Sequence, residues 1–255
     1  GKKAAKDLYF GEPLKKEMID DKTLINTSLY SGKNNILITS SANKNALINC
    51  LKEAIKGVLP NSKIYAGDIN EFTLSKYDAD IFWSMPKTND LNIKEIISYC
   101  KKNNIRFIFP TRDGELFYWN RHKSLLKSNN IFVFVTSEKI LKLSLDKLNF
   151  FQFCEVNNFP VINTSPNIED INSDKYVVKE RFGSGSNNIA VDLTKDDAIK
   201  FSYGLKNPIF QPYINSQEVS IDGWVGENGN LPGIIIRSRS IIFDGESKVT
   251  TSYDF

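Results

Sequence analysis

An α/β domain built on a parallel sheet, followed by an α+β lobe that is largely antiparallel, is the fold this sequence predicts. Three observations lead there. From Asn34 to about residue 136, short apolar runs alternate with stretches whose apolar residues recur at helical spacing. After residue 175 the order changes, and strand-like runs follow one another with glycine-rich or polar turns between them. Between these regions, residues 137–158 carry helical patterning only.

The elements follow in order. Residues 1–33 are polar, without a long apolar period, and are set apart as a leader or linker. "NILITS" (35–40) is a strand and "NKNALINCLKEAI" (43–55) a helix. "KIYAGD" (63–68) and "ADIFWSM" (79–85) are strands, and "NIKEIISYCKKNN" (92–104) is a helix. "IRFIFP" (105–110) is a strand, "GELFYWNRHKSLLKSNN" (114–130) a helix and "IFVFVT" (131–136) a strand. Apolar strands alternating with amphipathic helices make βαβ units around a parallel sheet covered on both faces. Ligands of such sheets gather beyond the carboxyl ends of the strands. The first strand–helix turn, "TSSANKNA", contains no glycine, so the dinucleotide fingerprint is absent and NAD is not expected.

"SEKILKL" (137–143) and "SLDKLNFFQFCEVNN" (144–158) are helical, with Ser144 the expected N-cap of the second. "KYVVKE" and "NIAVDL" are strands flanking a glycine loop, and "KDDAIKFSYGL" (195–205) is a helix. "PIFQPYI" (208–214), "EVSIDGWV" (218–225) and "LPGIIIRSRSII" (231–242) are strands, with "GENGN" (226–230) turning between the last two. The expected divisions are 34–136 for the α/β domain, 137–174 for a helical connection, 175–214 for a small lobe with the glycine loop, and 215–255 for the start of a further sheet.

With 255 residues, 41% hydrophobic, the chain is long enough to bury one large or two modest cores. Lys plus Arg is 33 against 30 acidic residues, a net charge of +3, which argues against nucleic acid or an anionic membrane as partner. No apolar run approaches the ~20 residues of a membrane span. The opening "GKKAAKDLYFGEP" lacks the apolar core of a secretory signal, so a cytoplasmic protein is expected. Cys50, Cys100 and Cys154 form no C-x-x-C pair and are expected to be reduced, in or near the core. His122 is the only histidine and stands in "NRHKSLLKSNN", expected on a helix surface, which argues against a Ser–His triad and a multi-histidine metal site.

The stretch "KYVVKERFGSGSNNIAVDL" (175–193) carries the chemistry. A P-loop requires a Lys after its glycines, whereas Lys179 precedes them here. A Rossmann loop opens a helix, whereas "NIAVDL" alternates like a strand. Two readings stay open on the loop alone: a glycine-rich hairpin folded over nucleotide phosphates, with Lys179 as the point charge, or an ordinary hairpin turn.

The order "DK" (146–147), "VVKERFGSGS" (177–186), "FQPYI" (210–214) and "EVSIDGW" (218–224) resembles the ATP-grasp superfamily. The likeness is to carbamoyl-phosphate synthase large-subunit-like and biotin-carboxylase-like carboxylate–amine ligases, and it runs from about Asn34 to Phe255. It takes in "IRFIFPTRDGEL", which is similar to that family's strand ending in Pro-Thr-x-Asp-x-Glu. The resemblance implies a pre-ATP-grasp α/β domain followed by an ATP-grasp lobe, and an ATP-dependent ligase acting through an acyl phosphate. It implies that Lys147 and Lys179 contact the nucleotide phosphates under a lid formed by Gly183, Ser184, Gly185 and Ser186. Gln211, Pro212, Tyr213 and Ile214 would be the hinge strand whose backbone meets adenine, and Glu218 would accept from the ribose hydroxyls. Arg237 and Arg239 would be catalytic, facing phosphate or a substrate carboxylate; on residue type alone they are equally an exposed basic stripe.

These roles suit the chemistry, since lysines and an arginine in a cleft match a triphosphate. Pro212 lacks an N–H and is expected on a sheet edge. Thr111, Asp113 and Glu115, with Arg112, are candidate substrate contacts; the alternative is an acidic helix start that complements its dipole. The implied cofactors are ATP and magnesium. The family's metal-binding strand lies downstream of the region matching "KVTTSYDF", so metal ligands are expected beyond Phe255 and none within this chain. The expectation is therefore a ligase fragment, inactive alone, with a non-catalytic nucleotide-binding or regulatory module as the alternative. The partners implied are ATP, a small carboxylate and an amine, with a homodimer as one option for the assembly.

Overall fold

A computed structural model describes residues 34–253, apart from 186–187, 227–228 and 244–245. The expected leader, 1–33, lies outside the described residues. The chain forms two compact units that divide between Leu145 and Asp146.

The first unit runs β1 (Asn35–Thr39), α1 (Asn45–Val58), β2 (Ile64–Asp68), α2 (Ser75–Asp78), β3 (Ile81–Ser84), α3 (Ile93–Lys102), β4 (Ile105–Pro110), α4 (Asp113–Ser128), β5 (Phe132–Val133) and α5 (Glu138–Ser144). Its five strands form a parallel sheet in the order β3-β2-β1-β4-β5. Every residue of β1 is buried, because helices cover both faces. Ile36 and Ile38 pack with Ile48, Ile64 and Ala66 on one side. Leu37 packs with Ile96, Trp119 and Leu126 on the other. The order reverses at β1, so β2 and β4 flank it and its carboxyl end marks the switch point. Two elements are shorter than their patterns predict. β3 begins only at Ile81, because Asp80 turns its carboxylate onto the Ile64 amide at 2.8 Å. β5 keeps two residues: the Phe134 amide still bonds the Ile108 carbonyl at 2.9 Å, and the chain then turns, with Val135 donating back to the Val133 carbonyl at 3.0 Å.

Three helices end in the same way. α3, α4 and α6 (Lys147–Val156) are each followed by an Asn-Asn pair. The first Asn donates its side-chain amide to a carbonyl four residues back: Asn103 to Tyr99 at 2.9 Å, Asn129 to Leu125 at 2.9 Å, Asn157 to Phe153 at 2.8 Å. The second takes a left-handed backbone, with φ of 52° at Asn104, 64° at Asn130 and 57° at Asn158. Asn is the residue after Gly that tolerates this conformation best, so each pair both satisfies a terminal carbonyl and turns the chain.

The second unit contains α6, β6 (Tyr176–Glu180), β7 (Ile189–Leu193), α7 (Lys195–Ser202), β8 (Pro208–Pro212), β9 (Ser220–Trp224), β10 (Gly233–Phe243) and β11 (Glu246–Tyr253). Two antiparallel three-stranded sheets result, ordered β7-β6-β8 and β11-β10-β9. Tyr176, Val178 and Phe210 pack on Ile168, Ile171 and Ala198 of α7, so one face of β6–β8 is core. A parallel α/β unit followed by antiparallel sheets is the predicted fold class. Ser144 does not cap α6; it is the last residue of α5, and Asp146 is the cap. The carboxylate prevails because it accepts from two amides, Leu148 at 3.1 Å and Asn149 at 3.2 Å, while also holding an arginine.

Candidate functional site

Alternation along β6 sets the site. Tyr176 and Val178 point into the core, so Val177 and Lys179 point to the opposite face. There Lys179 lies opposite Ile209 of β8 and Ile189 of β7. Burial first, and then the Lys147 ammonium, hold the Lys179 amine below its ordinary value; the Glu218 carboxylate works in the other direction. The Lys147 and Glu218 charges therefore both reach Lys179.

The "DK" pair divides its work. Asp146 receives Arg181 through two parallel hydrogen bonds, Nε at 2.7 Å and Nη2 at 2.6 Å. Burial alone would raise the Asp146 pKa, but the Arg181 bonds and the Asn149 and Leu148 amides outweigh it and hold the carboxyl low. This clamp ties the start of α6 to the end of β6, reinforced by the Lys147 amide donating to the Arg181 carbonyl at 3.2 Å. The Lys147 side chain reaches the loop itself, 2.8 Å from the Gly183 carbonyl and 3.4 Å from that of Arg181. Gly183 and Gly185 have φ of 107° and 75°, conformations that L-residues rarely adopt. Ser184 and both glycines are exposed; Ser186 lies outside the described residues.

The hinge residues lie on an edge, as β8 is the last strand of its sheet. Tyr213 donates to the Lys175 carbonyl at 2.8 Å and Arg181 to the Asn207 carbonyl at 2.8 Å, so alternate residues of β8 bond inward. Phe210 faces outward and exchanges both its backbone bonds with Ser165, at 3.1 and 2.8 Å. The next outward group is the Pro212 carbonyl. Two residues on, the Ile214 amide bonds to no other described residue. The edge is closed at Phe210 and open from Pro212, presenting an acceptor and then a donor. Pro212 has no N–H to leave unsatisfied there.

Arg237 and Arg239 share one face of β10, and each meets a carboxylate. Arg237 bonds Asp222 through Nε and through Nη2, the latter at 3.3 Å. Arg239 Nη2 bonds Glu218, the carboxylate whose charge reaches Lys179. The Nε of Arg239 is buried and has no hydrogen-bond partner among the described residues. Asp222 is held low by the Arg237 hydrogen bond. Lys147 and Glu218 thus act on Lys179, and Glu218 holds Arg239, while Arg237 is engaged by Asp222.

In the first unit, Thr111, Arg112 and Asp113 follow β4 at its carboxyl end. The Thr111 hydroxyl contacts the carbonyls of Thr39 and Ser40, at 2.8 and 2.9 Å, which links the ends of β4 and β1. Asp113 is exposed on the first turn of α4. Glu115 is fully buried. One oxygen accepts from the Thr111 and Arg112 amides, at 3.0 and 3.2 Å, and the other from Trp119 Nε1 at 2.9 Å. Its acceptors are spent on holding the loop and the indole.

Residue-by-residue reading missed Arg181, Asp222 and Thr164. Arg181 stands two residues after Lys179 but turns to Asp146; the two carboxylate partners become visible only when the register is known. Among the described residues no group of three or more His, Cys, Asp or Glu is placed to hold a metal ion. Nor is any helix long and apolar enough to cross a membrane. Cys100 and Cys154 are buried and Cys50 is exposed; burial pushes the Cys100 thiol up to about 12.

Comparison with known proteins follows the same division. Residues 36–134 match the family described as "PylC-like, N-terminal domain", and residues 144–249 match the ATP-grasp domain. Among solved structures, the chain is similar to N5-carboxyaminoimidazole ribonucleotide synthetase in an ADP complex, with TM-score 0.62 and 15% identity over 84% of this chain and 55% of that one. It is similar to biotin carboxylase from Campylobacter jejuni in its beta-gamma-ATP complex, with TM-score 0.61 and 20% identity over 85% and 53%. It is also similar to the biotin carboxylase domain dimer of Hydrogenobacter thermophilus 2-oxoglutarate carboxylase with MgADP, ADP and bicarbonate, with TM-score 0.58 and 17% identity over 85% and 52%. At these identities the likeness is one of fold, and the chain spans about half the length of each of these structures. No curated protein sequence matches it. With both domains matched in order and the same architecture in the neighbours, the chain belongs to the ATP-grasp superfamily, its ATP-grasp domain preceded by a PylC-like N-terminal domain.

Proposed function

We propose that the second unit binds ATP and that the chain serves an ATP-dependent carboxylate–amine ligase. The observation that carries this reading is the pairing of Lys147 and Lys179. Two ammonium groups stand within each other's field, on the face of β6 turned from the core, beside a loop of two positive-φ glycines. Such a pair opposes its own charge, and a polyanion relieves it. In this reading Lys147 and Lys179 hold the phosphates, with Gly183, Ser184, Gly185 and Ser186 over them. The Pro212 carbonyl and Ile214 amide read the adenine edge, flanked by Gln211 and Tyr213. Glu218 receives the ribose hydroxyls and shares Arg239 with the substrate end, where Arg237 supports it through Asp222.

The reaction proposed begins with a carboxylate oxygen attacking the γ-phosphorus of ATP, breaking its bond to ADP. The acyl phosphate is then attacked at carbon by an amine, which loses a proton as phosphate leaves. The residues on the lysine face exclude water from the acyl phosphate, which hydrolysis would otherwise waste. The loop Thr111–Arg112–Asp113 is the proposed carboxylate or amine contact, with Glu115 as its internal support. Magnesium would accompany the nucleotide and offset its charge; the described residues supply no cluster of three or more His, Cys, Asp or Glu for it. A homodimer is the assembly proposed, by analogy with the 2-oxoglutarate carboxylase domain dimer.

The test is product analysis. The ligase that this chain serves is incubated with Mg·ATP, hydroxylamine and a panel of small carboxylates. ADP, phosphate and a hydroxamate formed with one carboxylate class are the expected products. AMP and pyrophosphate would overturn the acyl-phosphate reading, and nucleotide binding without turnover would favour the non-catalytic module.

A further inference from the structure

Thr164 is buried, with 3% of its surface exposed, and lies beside the edge of β8 where Ser165 pairs with Phe210. Its hydroxyl makes two hydrogen bonds. One runs to the Ile162 carbonyl at 2.9 Å, and a carbonyl only accepts, so the single hydroxyl proton is committed there. The other partner is the Gln211 side-chain amide at 2.7 Å. With its proton already used, Thr164 Oγ1 can only accept from Gln211. The amide orientation follows: the NH₂ of Gln211 faces Thr164, and its Oε1 is turned away as an acceptor. That oxygen has no hydrogen-bond partner among the described residues, and it is not sealed from solvent. Gln211 shares its face of β8 with Ile209, opposite Lys179, and it precedes the open Pro212 carbonyl.

Resting on the nucleotide reading above, we infer that Thr164 and Gln211 form a specificity pair that selects a 6-amino purine. The exocyclic amino group of adenine carries two hydrogens, and the site offers two acceptors, the Pro212 carbonyl and Gln211 Oε1. The Ile214 amide suits the unprotonated ring N1. Guanine presents a carbonyl oxygen to both acceptors and an N1–H to the donor, so each contact becomes a repulsion. Thr164 acts as the positioning residue, because a freely rotating Gln211 amide would offer its NH₂ to guanine as readily as its oxygen to adenine.

The experiment is calorimetric titration of the 255-residue chain with ATP, GTP and purine riboside 5′-triphosphate, which lacks any group at C6. Thr164→Val removes the hydroxyl with little change of volume, Gln211→Met removes the acceptor, and Gln211→Glu retains one. Wild type is expected to prefer ATP over the purine riboside nucleotide by roughly tenfold or more, the size of one well-placed hydrogen bond. Thr164→Val and Gln211→Met are expected to lower that preference severalfold, leaving the share held by the Pro212 carbonyl, while Gln211→Glu keeps it. Affinity for purine riboside 5′-triphosphate is expected to change far less than affinity for ATP, a result that general damage to the strand would not give. An ATP preference unaltered in both Thr164→Val and Gln211→Met would overturn the inference and leave the nucleotide reading standing. Absence of any nucleotide binding by the wild-type chain would overturn that reading, and this pair with it.

Discussion

Replacing Lys179 by methionine should make the ligand-free protein more stable and a poorer nucleotide binder. The amine is half-buried on β6, held below its ordinary 10.5 by desolvation and by Lys147, with only Glu218 working the other way. Methionine keeps the length of the stem and removes a charge that the native state disfavours. Relief of one such charge is worth about 1 kcal/mol, or roughly 2–4 °C in Tm for a protein of this size. A charged hydrogen bond to phosphate is lost in exchange, about 1.5–3 kcal/mol, so the ATP Kd should rise roughly 10- to 150-fold. The pH dependence has a definite sign. A lysine with a depressed native pKa binds its proton more readily when unfolded, so stability rises with pH between the depressed value and 10.5. At neutral pH the parent carries the whole penalty, and the Tm advantage of Lys179→Met should shrink as pH climbs toward 10.5. Differential scanning calorimetry across pH, with titration of ATP at pH 7, checks both halves. A lowered ligand-free Tm together with an ATP Kd within twofold of the parent would refute the reasoning.

Other consequences follow from the same geometry. Arg181→Met removes the bidentate partner of Asp146 and should cost about 1.5–3 kcal/mol. Because the Asp146 pKa is lowered from 3.8, that cost is present in full above about pH 4 and fades on acidification, which urea titrations at several pH values would show. Glu115→Gln replaces one of two carboxylate oxygens by an NH₂ that cannot accept from Trp119 or from the loop amides. A loss of about 2–3 kcal/mol is expected, with a change in tryptophan emission on the same transition. At Gly183 an added Cβ meets nothing within 4 Å, so Gly183→Ala is penalised only through its φ of 107°. The expected cost is about 1–2 kcal/mol, and a weaker ATP Kd should accompany it.

Much of the fold was legible because both faces of the first sheet are covered. That burial forces unbroken apolar runs such as "NILIT" in β1, and the helices between them are amphipathic for the same reason. The limits of each element were less legible. Strand patterning over 131–136 yields only Phe132–Val133, because after the Phe134 amide bonds the Ile108 carbonyl the chain turns and Val135 donates back to the Val133 carbonyl. Ser144 has the chemistry of a cap, yet Asp146 takes the role through a partner 35 residues away that no local pattern reveals. The Asn-Asn pairs after α3, α4 and α6 were a usable stop signal, since only the second Asn needs a left-handed backbone.

The site divides along the same line. Lys147, Lys179 and the glycine loop could be named from order and spacing, because the charges and the positive-φ glycines are properties of single residues. Glu115 could not be placed: an acidic residue after a strand looks the same whether it faces a ligand or, as here, turns inward to two amides and an indole. The carboxylate partners of Arg237 and Arg239 depend on the register between β9 and β10. Thr164 carries no sequence signal at all, and only its two hydrogen bonds give it meaning.

The most direct test of the central claim is the melting temperature of the 255-residue chain with and without Mg·ATP at a hundredfold excess over Kd, with GTP alongside. Binding to the native state alone should add about 2.7 kcal/mol, visible as a rise of roughly 5–10 °C. A rise with ATP that GTP does not reproduce, and that Lys179→Met cuts to about half or less, is the predicted result. No shift, or an equal shift with both nucleotides that survives Lys179→Met, would contradict an adenine-nucleotide site at Lys147, Lys179 and the edge of β8.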